Sequence, residues 1–147
     1  HRKADERGTG REFARALVIC YLDTSAAMKL LVEEEESAAL VDSLQSCGGD
    51  RRLVSSWLLL TELHCAANLY PDVVELDSVG IVLDTVTLID LTRGDLLTAG
   101  TLPGWLRSND AVHLAVALRV GADELVTYDA ELAAAAITAG IVAVDPS

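Results

Sequence analysis

Cysteines and long apolar runs are scarce in this sequence, and each shortage excludes a class of protein. The three cysteines, Cys20, Cys47 and Cys65, are odd in number and widely spaced, which argues against a disulfide framework and against a cysteine-based zinc site. No apolar stretch approaches the roughly 18 residues that a membrane-spanning helix needs. We therefore expect a protein of the reducing cytoplasm with no membrane anchor.

Basic residues are scarce as well, since 11 Lys and Arg face 23 Asp and Glu for a formal net charge of −12. Five of the basic residues but only three of the acidic ones lie in residues 1–16. The rest of the chain therefore holds six basic against twenty acidic residues, a net charge of −14. Such a chain lacks the positively charged surface of proteins that bind nucleic acid non-specifically. It remains compatible with an enzyme that holds nucleic acid through a metal ion.

The sequence predicts a single domain over residues 17–147. A hydrophobic content of 51% is enough for a sizeable core, and no linker-like or repeated segment divides the chain. Residues 1–16 are polar, mixed in charge and without an initiating Met. We expect this stretch to be an upstream or expression-derived extension, or a disordered one, outside the fold.

Strand-like and helix-like patterns alternate along residues 17–147. The apolar runs that predict strands cover residues 17–22, 52–55, 86–91, 124–128 and 141–144. The helical patterns cover residues 25–34, 37–44, 57–69, 73–84, 94–101, 109–120 and 130–139. This alternation predicts an α/β fold with a mostly parallel sheet and helices on both faces.

Two aspartates directly follow predicted strands, one near each end of the chain. Asp23 stands where the first strand stops and a helical pattern begins, and Asp129 does the same after the strand at 124–128. In an open α/β sheet this is the carboxyl edge, where ligands and catalytic groups gather. Asp is also a preferred helix N-cap, so either residue alone has a strong structural alternative. The pair suggests one acidic site.

Two further acids lie on apolar helix faces. Glu62 shares its stripe with Leu59, Leu63, Ala66 and Leu69. Asp110 begins a comparable stripe that continues through Leu114, Ala117 and Leu118. The structural alternatives are a partly exposed Glu62 paired with an Arg, and an Asp110 that is simply favoured in the first turn of a helix.

Four carboxylates gathered in a poorly solvated pocket cannot all stay ionised, because like charges and desolvation both raise their pKa values. A divalent cation resolves the conflict. Oxygen ligands without His or Cys suit Mg²⁺ or Mn²⁺, and such an ion activates water for attack on a phosphate. We therefore predict a Mg²⁺ or Mn²⁺ site whose ligands are Asp23, Glu62, Asp110 and Asp129.

Four motifs follow one another along residues 17–147. They are Tyr21-Leu22-Asp23-Thr24-Ser25-Ala26 with Lys29-Leu30, Val54-Ser55-Ser56 through Thr61-Glu62-Leu63, Asn109-Asp110-Ala111-Val112-His113-Leu114-Ala115, and Val126-Thr127-Tyr128-Asp129. In order and spacing the set resembles the PIN-domain ribonucleases of the bacterial VapC toxin type. That resemblance implies a three-layer α/β/α sandwich, a Mg²⁺- or Mn²⁺-dependent endoribonuclease, frequent homodimerisation, and inhibition by a VapB-type antitoxin.

The same resemblance assigns roles to residues. The family's four acidic positions, which are catalytic, match Asp23, Glu62, Asp110 and Asp129. By this analogy, Thr24 or Ser25 orients Asp23 or a metal-bound water, and Asn109 lines the same pocket.

Other polar and aromatic residues are interpreted as bystanders. His64 and His113 are not spaced from each other or from a cysteine as zinc ligands are, so we expect both to be solvated or hydrogen-bonded structural residues. Because no histidine is well placed as a general base, we expect the metal rather than a protein group to activate the attacking water. We expect Trp57 and Trp105 to serve core or dimer packing. The candidate phosphate contacts are Lys29, Arg51, Arg52, Arg93 and Arg107.

Three alternative functions stay open. A haloacid-dehalogenase-like phosphatase also places a strand-end Asp before Thr, but it needs a second Asp where Ser25 stands. A receiver-type phosphoacceptor domain needs adjacent acids after the first strand and a Lys after a later one, and neither is found. A PIN-like module that only binds protein needs no metal, so metal titration separates it from a nuclease.

Overall fold

The computed structural model describes residues 17–32, 37–45 and 50–147, so the predicted extension at 1–16 and Cys47 lie outside the described residues. In these ranges the strands are β1 (Val18–Leu22), β2 (Arg51–Ser56), β3 (Thr87–Ile89), β4 (Glu124–Val126) and β5 (Val142–Val144). The helices are α1 (Thr24–Leu31), α2 (Ser37–Gln45), α3 (Trp57–Leu69), α4 (Leu76–Asp84), α5 (Arg93–Ala99), α6 (Ser108–Arg119) and α7 (Ala130–Thr138).

The five strands form one parallel sheet in the order β3-β2-β1-β4-β5, which confirms the predicted parallel topology. β1 is central, with Tyr21 in register with Val54 of β2 and Leu125 of β4. The chain runs outward from β1 to β3 and then returns to the other side of β1. The direction of winding therefore reverses between β1 and β4, which is where open α/β sheets bind ligands.

Helices cover both faces of the sheet. Successive residues of β1 point to opposite sides, and because they are apolar on both sides, each face needs a layer of helices to bury it. Cys20 and Leu22 belong to one buried cluster, which includes side chains from α1 to α4, whereas Tyr21 belongs to a second cluster with side chains from α6 and α7. The predicted three-layer α/β/α sandwich is confirmed. None of the helices in the described ranges is long and apolar enough to cross a membrane.

A few predicted details differ from the structure where turns or helix ends decide the geometry. α4 begins at Leu76 rather than at residue 73, because residues 71–74 after α3 form a turn. Leu69 was expected on the buried stripe of α3 but is 72% exposed, because the buried stripe runs through Leu59, Leu63 and Ala67 and Leu69 lies off that face. Of the two expected roles of the tryptophans, core packing was wrong for both, because Trp105 is 88% exposed and Trp57 is 45% exposed. Dimer packing stays a prediction.

Arg51 has a structural role at the edge of the sheet opposite the strand ends that carry Asp23 and Asp129. It opens β2, and its Nη1 atom lies 2.5 Å from Oε1 of Glu124, which opens β4 on the other side of β1. The same nitrogen donates to Sγ of Cys20 at 3.4 Å. Arg51 therefore joins the amino ends of two strands, and the expectation that it contacts phosphate was wrong.

Candidate active site

The candidate site lies at the carboxyl ends of β1 and β4, where the order of the strands reverses. Asp23 follows β1, and its backbone N–H donates to the carbonyl of Val126 in β4 at 3.2 Å. Asp129 lies three residues beyond the end of β4. The two strand-end aspartates that the sequence singled out are thus brought to one edge by neighbouring parallel strands.

Asp23 is buried and is held by hydrogen bonds to both of its oxygens. Oδ1 accepts from the backbone N–H of Ala26 at 2.9 Å and from the Ser25 hydroxyl at 2.8 Å, while Oδ2 accepts from the Thr127 hydroxyl at 2.5 Å. Asp23 is therefore the N-cap of α1 as well as a member of the acidic cluster. Burial raises its pKa, although these donors oppose the shift. As predicted, Ser25 contacts Asp23.

Asp129 is likewise an N-cap, with Oδ1 accepting from the backbone N–H of Leu132 in α7 at 3.0 Å. Its own N–H donates to the hydroxyl of Thr127 at 3.0 Å. Thr127 therefore joins the two aspartates, because the same hydroxyl donates to Asp23. The sequence prediction did not include Thr127, although its position just before Asp129 in a strand-end motif was the available signal.

Asp110 lies in the first turn of α6 and faces the other two aspartates. Burial raises its pKa, and the charges of Asp129 and Asp23 raise it further, whereas Arg107 acts in the opposite direction. The favourable field of the helix amino terminus is therefore outweighed. The charges of Asp129 and Asp23 therefore both act on Asp110. That the three carboxylates form a single functional site stays a prediction.

Glu62 of α3 borders this cluster and accepts three side-chain hydrogen bonds. Oε1 accepts from Nε2 of His113 at 2.6 Å and from the hydroxyl of Thr24 at 2.8 Å, and Oε2 accepts from the side-chain amide of Asn109 at 2.8 Å. Burial alone would raise the pKa of Glu62, but these hydrogen bonds outweigh it and the pKa is lowered. Glu62 is therefore held ionised by neutral donors and a histidine, not by the Arg of the structural alternative.

His113 is fully buried and touches the site, which the sequence analysis missed. It was expected to be solvated or hydrogen-bonded, and it is hydrogen-bonded, with Glu62 and Tyr21 as partners of its two ring nitrogens. The available signal was its spacing, since His113 follows Asp110 by three residues and therefore lies on the same face of α6. His64 does match the structural interpretation, because its Nδ1 lies 2.7 Å from the carbonyl of Leu60.

Arg107 provides the positive charge in this acidic cluster. Its guanidinium places Nε 3.7 Å from Asp110 Oδ2 and Nη2 3.5 Å from Asp129 Oδ2, while the side chain stays 79% exposed. Across the described ranges, no three His, Cys, Asp or Glu side chains are spaced to hold a metal ion as they stand. The donors nevertheless suit Mg²⁺ or Mn²⁺, because they are all oxygens and because their mutual repulsion, seen in the raised pKa of Asp110, is what a divalent cation relieves.

The sequence and the fold were compared with known proteins. The PIN domain family model matches residues 20–137. Ribonuclease VapC46 of Mycobacterium tuberculosis is 38% identical over 133 residues, which cover 86% of this chain and 97% of that protein. Ribonuclease VapC47 of the same species is 32% identical over 130 residues, with 86% and 96% covered.

Two solved structures share the fold. One is VapC20 of Mycobacterium tuberculosis, a toxin that cleaves the sarcin–ricin loop, with a TM-score of 0.66, 17% identity, and 86% of this chain and 99% of that chain covered. The other is VapBC2 of Rickettsia felis bound to a DNA fragment from its promoter, with a TM-score of 0.66, 15% identity, and 88% and 100% covered.

The first prediction concerns the charge on Asp110. Because its pKa is raised in the fold, the ionised form costs stability at pH 7, and Asp110→Asn should raise the metal-free thermal midpoint by roughly 1–3 °C. As pH falls through the raised pKa toward the unfolded value of about 3.9, the wild-type carboxyl becomes neutral and the difference between the two proteins should vanish. Thermal unfolding of both proteins from pH 7 to pH 4 measures that difference.

The matched control is Asp72→Asn, an exposed position beyond the far end of α3. It should leave the midpoint unchanged at both pH values. An Asp110→Asn variant that is less stable than the wild type at pH 7 would contradict the account of repulsion.

Proposed function

This chain belongs to the PIN-domain family of VapC-type ribonucleases, and from that premise we propose that it is a metal-dependent endoribonuclease and the toxin of a VapBC-type pair. The observation that carries the proposal is the electrostatic coupling of Asp110 to Asp129 and Asp23 at the point where the sheet's strand order reverses. Such a cluster is a site for a divalent cation and a phosphate, rather than an arrangement that stabilises the fold.

The proposed ligands of Mg²⁺ or Mn²⁺ are Asp23, Glu62, Asp110 and Asp129. When bound, the ion supplies positive charge to the phosphoryl oxygens of the scissile group and lowers the pKa of the attacking water. The chain's own contribution is to position these oxygens. Thr127 and Ser25 fix the Asp23 carboxylate, so little reorganisation is needed on binding.

RNA binding is proposed to rely on this site rather than on a basic surface, because residues 17–147 carry a net charge of −14. Arg107 is the proposed phosphate contact of this chain, since its exposed guanidinium already faces Asp110 and Asp129. We place the activity in the cytoplasm, which suits the thiols of Cys20 and Cys65. A homodimer and a VapB-type antitoxin complete the proposal.

The phosphatase alternative has no support in the geometry. It needs a carboxylate at position 25, but Ser25 stands there and donates its hydroxyl to Asp23 at 2.8 Å. A second alternative is a protein-binding module without nuclease activity. It predicts that divalent cations do not change the thermal stability of the protein.

The second prediction tests the catalytic assignment. Asp129→Asn and Asp23→Asn should each lower Mg²⁺-dependent cleavage of RNA by at least about 100-fold, because each removes a carboxylate that would hold the cation. Circular dichroism should show intact folds. Cleavage of a mixed RNA substrate is measured by gel with Mg²⁺ and with EDTA.

Asp72→Asn, the exposed variant used above, serves again as control and should cleave like the wild type. Wild-type rates in either site variant would remove that residue from the site. Equal cleavage with Mg²⁺ and with EDTA would overturn the metal dependence.

The third prediction concerns linkage between metal and folding. A cation that binds only the folded state at a hundredfold excess over its Kd should add about 2.7 kcal/mol to the free energy of unfolding. Thermal unfolding with a Mn²⁺ or Mg²⁺ titration measures the rise in the wild-type midpoint. Glu62→Gln should blunt the rise, whereas an identical rise in both proteins would exclude Glu62 from the metal site.

The fourth prediction concerns the antitoxin, whose gene we expect beside that of this protein. The acidic pocket should receive an Arg or Lys of the partner near Asp23 and Asp110, displacing Arg107, while apolar contacts around it supply most of the affinity. Replacing that basic residue by Ala should therefore weaken inhibition of cleavage. Undiminished inhibition would leave steric occlusion as the mechanism.

Salt dependence separates the two contributions to that complex. Raising ionic strength from 0.1 to 0.5 M should increase the dissociation rate only modestly, by roughly two- to threefold, because buried apolar contacts are not screened. An increase of several hundredfold would show that charge pairing dominates.

A further inference from the structure

Beneath Glu62 lies a buried hydrogen-bonded pair that the proposed chemistry does not yet use. Tyr21 and His113 are both fully buried, one on the central strand β1 and the other on α6. The phenol oxygen of Tyr21 lies 2.7 Å from Nδ1 of His113, and the two rings meet edge to face with centroids 5.7 Å apart. On the far side of the imidazole, Nε2 lies 2.6 Å from Oε1 of Glu62.

The donor and acceptor groups of Tyr21, His113 and Glu62 determine which atom donates in each of these hydrogen bonds. A carboxylate accepts hydrogen bonds and offers none, so Nε2 of His113, which lies 2.6 Å from Oε1 of Glu62, carries a proton and donates to it. In the tautomer that carries its proton on Nε2, Nδ1 accepts from the phenol of Tyr21 at 2.7 Å.

We propose that Tyr21 and His113 form a positioning relay, in which the Tyr21 hydroxyl fixes the imidazole of His113 so that its Nε2–H holds the Glu62 carboxylate in the orientation that serves the metal site. This inference rests on the proposed function, because it assigns Glu62 to that site. Tyr21 and His113 touch neither substrate nor metal in this assignment. They act through Glu62, as the outer hydrogen-bond partners of metal ligands commonly do.

The geometry favours positioning over simple packing. An apolar pair would fill the same space between β1 and α6 without burying two polar groups, which are costly unless satisfied. The Thr24 hydroxyl donates to the same Oε1 atom at 2.8 Å and lies 3.1 Å from Nε2. One carboxylate oxygen is thus held from two sides by residues of two different elements.

The test replaces each member of the relay. Besides overall activity, it measures Mn²⁺ affinity by calorimetry and determines kcat and KM for RNA separately. Tyr21→Phe removes only the hydroxyl, and His113→Leu removes the donor to Glu62. We expect Mn²⁺ affinity to fall by about 10- to 100-fold in His113→Leu and by less in Tyr21→Phe, with kcat lowered and KM for RNA unchanged. His113→Gln, which can again present an N–H toward Glu62, should restore most of the affinity.

Two matched variants control for lost stability. Tyr128→Phe removes a hydroxyl that donates to the carbonyl of Pro146, and His64→Leu removes a ring bonded to the Leu60 carbonyl. Both should lower the thermal midpoint without changing Mn²⁺ affinity. If His113→Leu does not fold, the comparison of Tyr21→Phe with Tyr128→Phe decides the question alone.

Two failures are distinguishable. A wild-type protein that neither binds Mn²⁺ nor cleaves RNA overturns the proposed function. A wild-type protein that does both, beside Tyr21→Phe and His113→Leu variants with unchanged Mn²⁺ affinity and kcat, overturns the relay and leaves the proposed function intact.

Discussion

Three aspartates lie within one another's electric field where β1 and β4 end, and the fold has to hold them there against their repulsion. Asp23 and Asp110 both have raised pKa values, with burial as the first cause in each case. Folding alone does not favour such an arrangement, because the carboxyl groups of Asp23 and Asp110 ionise more readily in the unfolded chain. The site therefore depends on stabilisation supplied by the rest of the sheet and its helices.

Helix capping supplies much of that support. Asp23 caps α1 and Asp129 caps α7, and in each case a single oxygen accepts the backbone N–H. A carboxylate has a second oxygen, so capping and a place in the acidic cluster do not compete. The structural interpretation of these residues as N-caps is confirmed. Their role in the metal site stays a prediction, and the caps are compatible with it because each backbone N–H takes only one of the two carboxylate oxygens. Glu62 is not a helix N-cap, so no backbone N–H of the described residues positions its carboxylate. The side chains of His113, Thr24 and Asn109 donate to that carboxylate instead.

The sequence predicted the scaffold well because the signals are local. The apolar strands, the helix at Trp57–Leu69 and the strand-end acids all follow from patterns a few residues long. It could not predict contacts that depend on how distant segments meet. The hydroxyl of Thr127 reaches Asp23 across 104 residues of sequence, and His113 reaches Glu62 across 51. Arg51 was misassigned for the same reason, since its partner Glu124 is adjacent only in the folded sheet.

The central claim is that repulsion among these carboxylates is balanced by a divalent cation when the protein is active. Anomalous scattering from a crystal soaked in Mn²⁺ tests it most directly. The account predicts one or two anomalous peaks bounded by Asp23, Asp110 and Asp129, beside Glu62, with the Arg107 guanidinium moved away from Asp110 and Asp129. A soaked crystal with Arg107 still between those two carboxylates and no anomalous peak among them would contradict it.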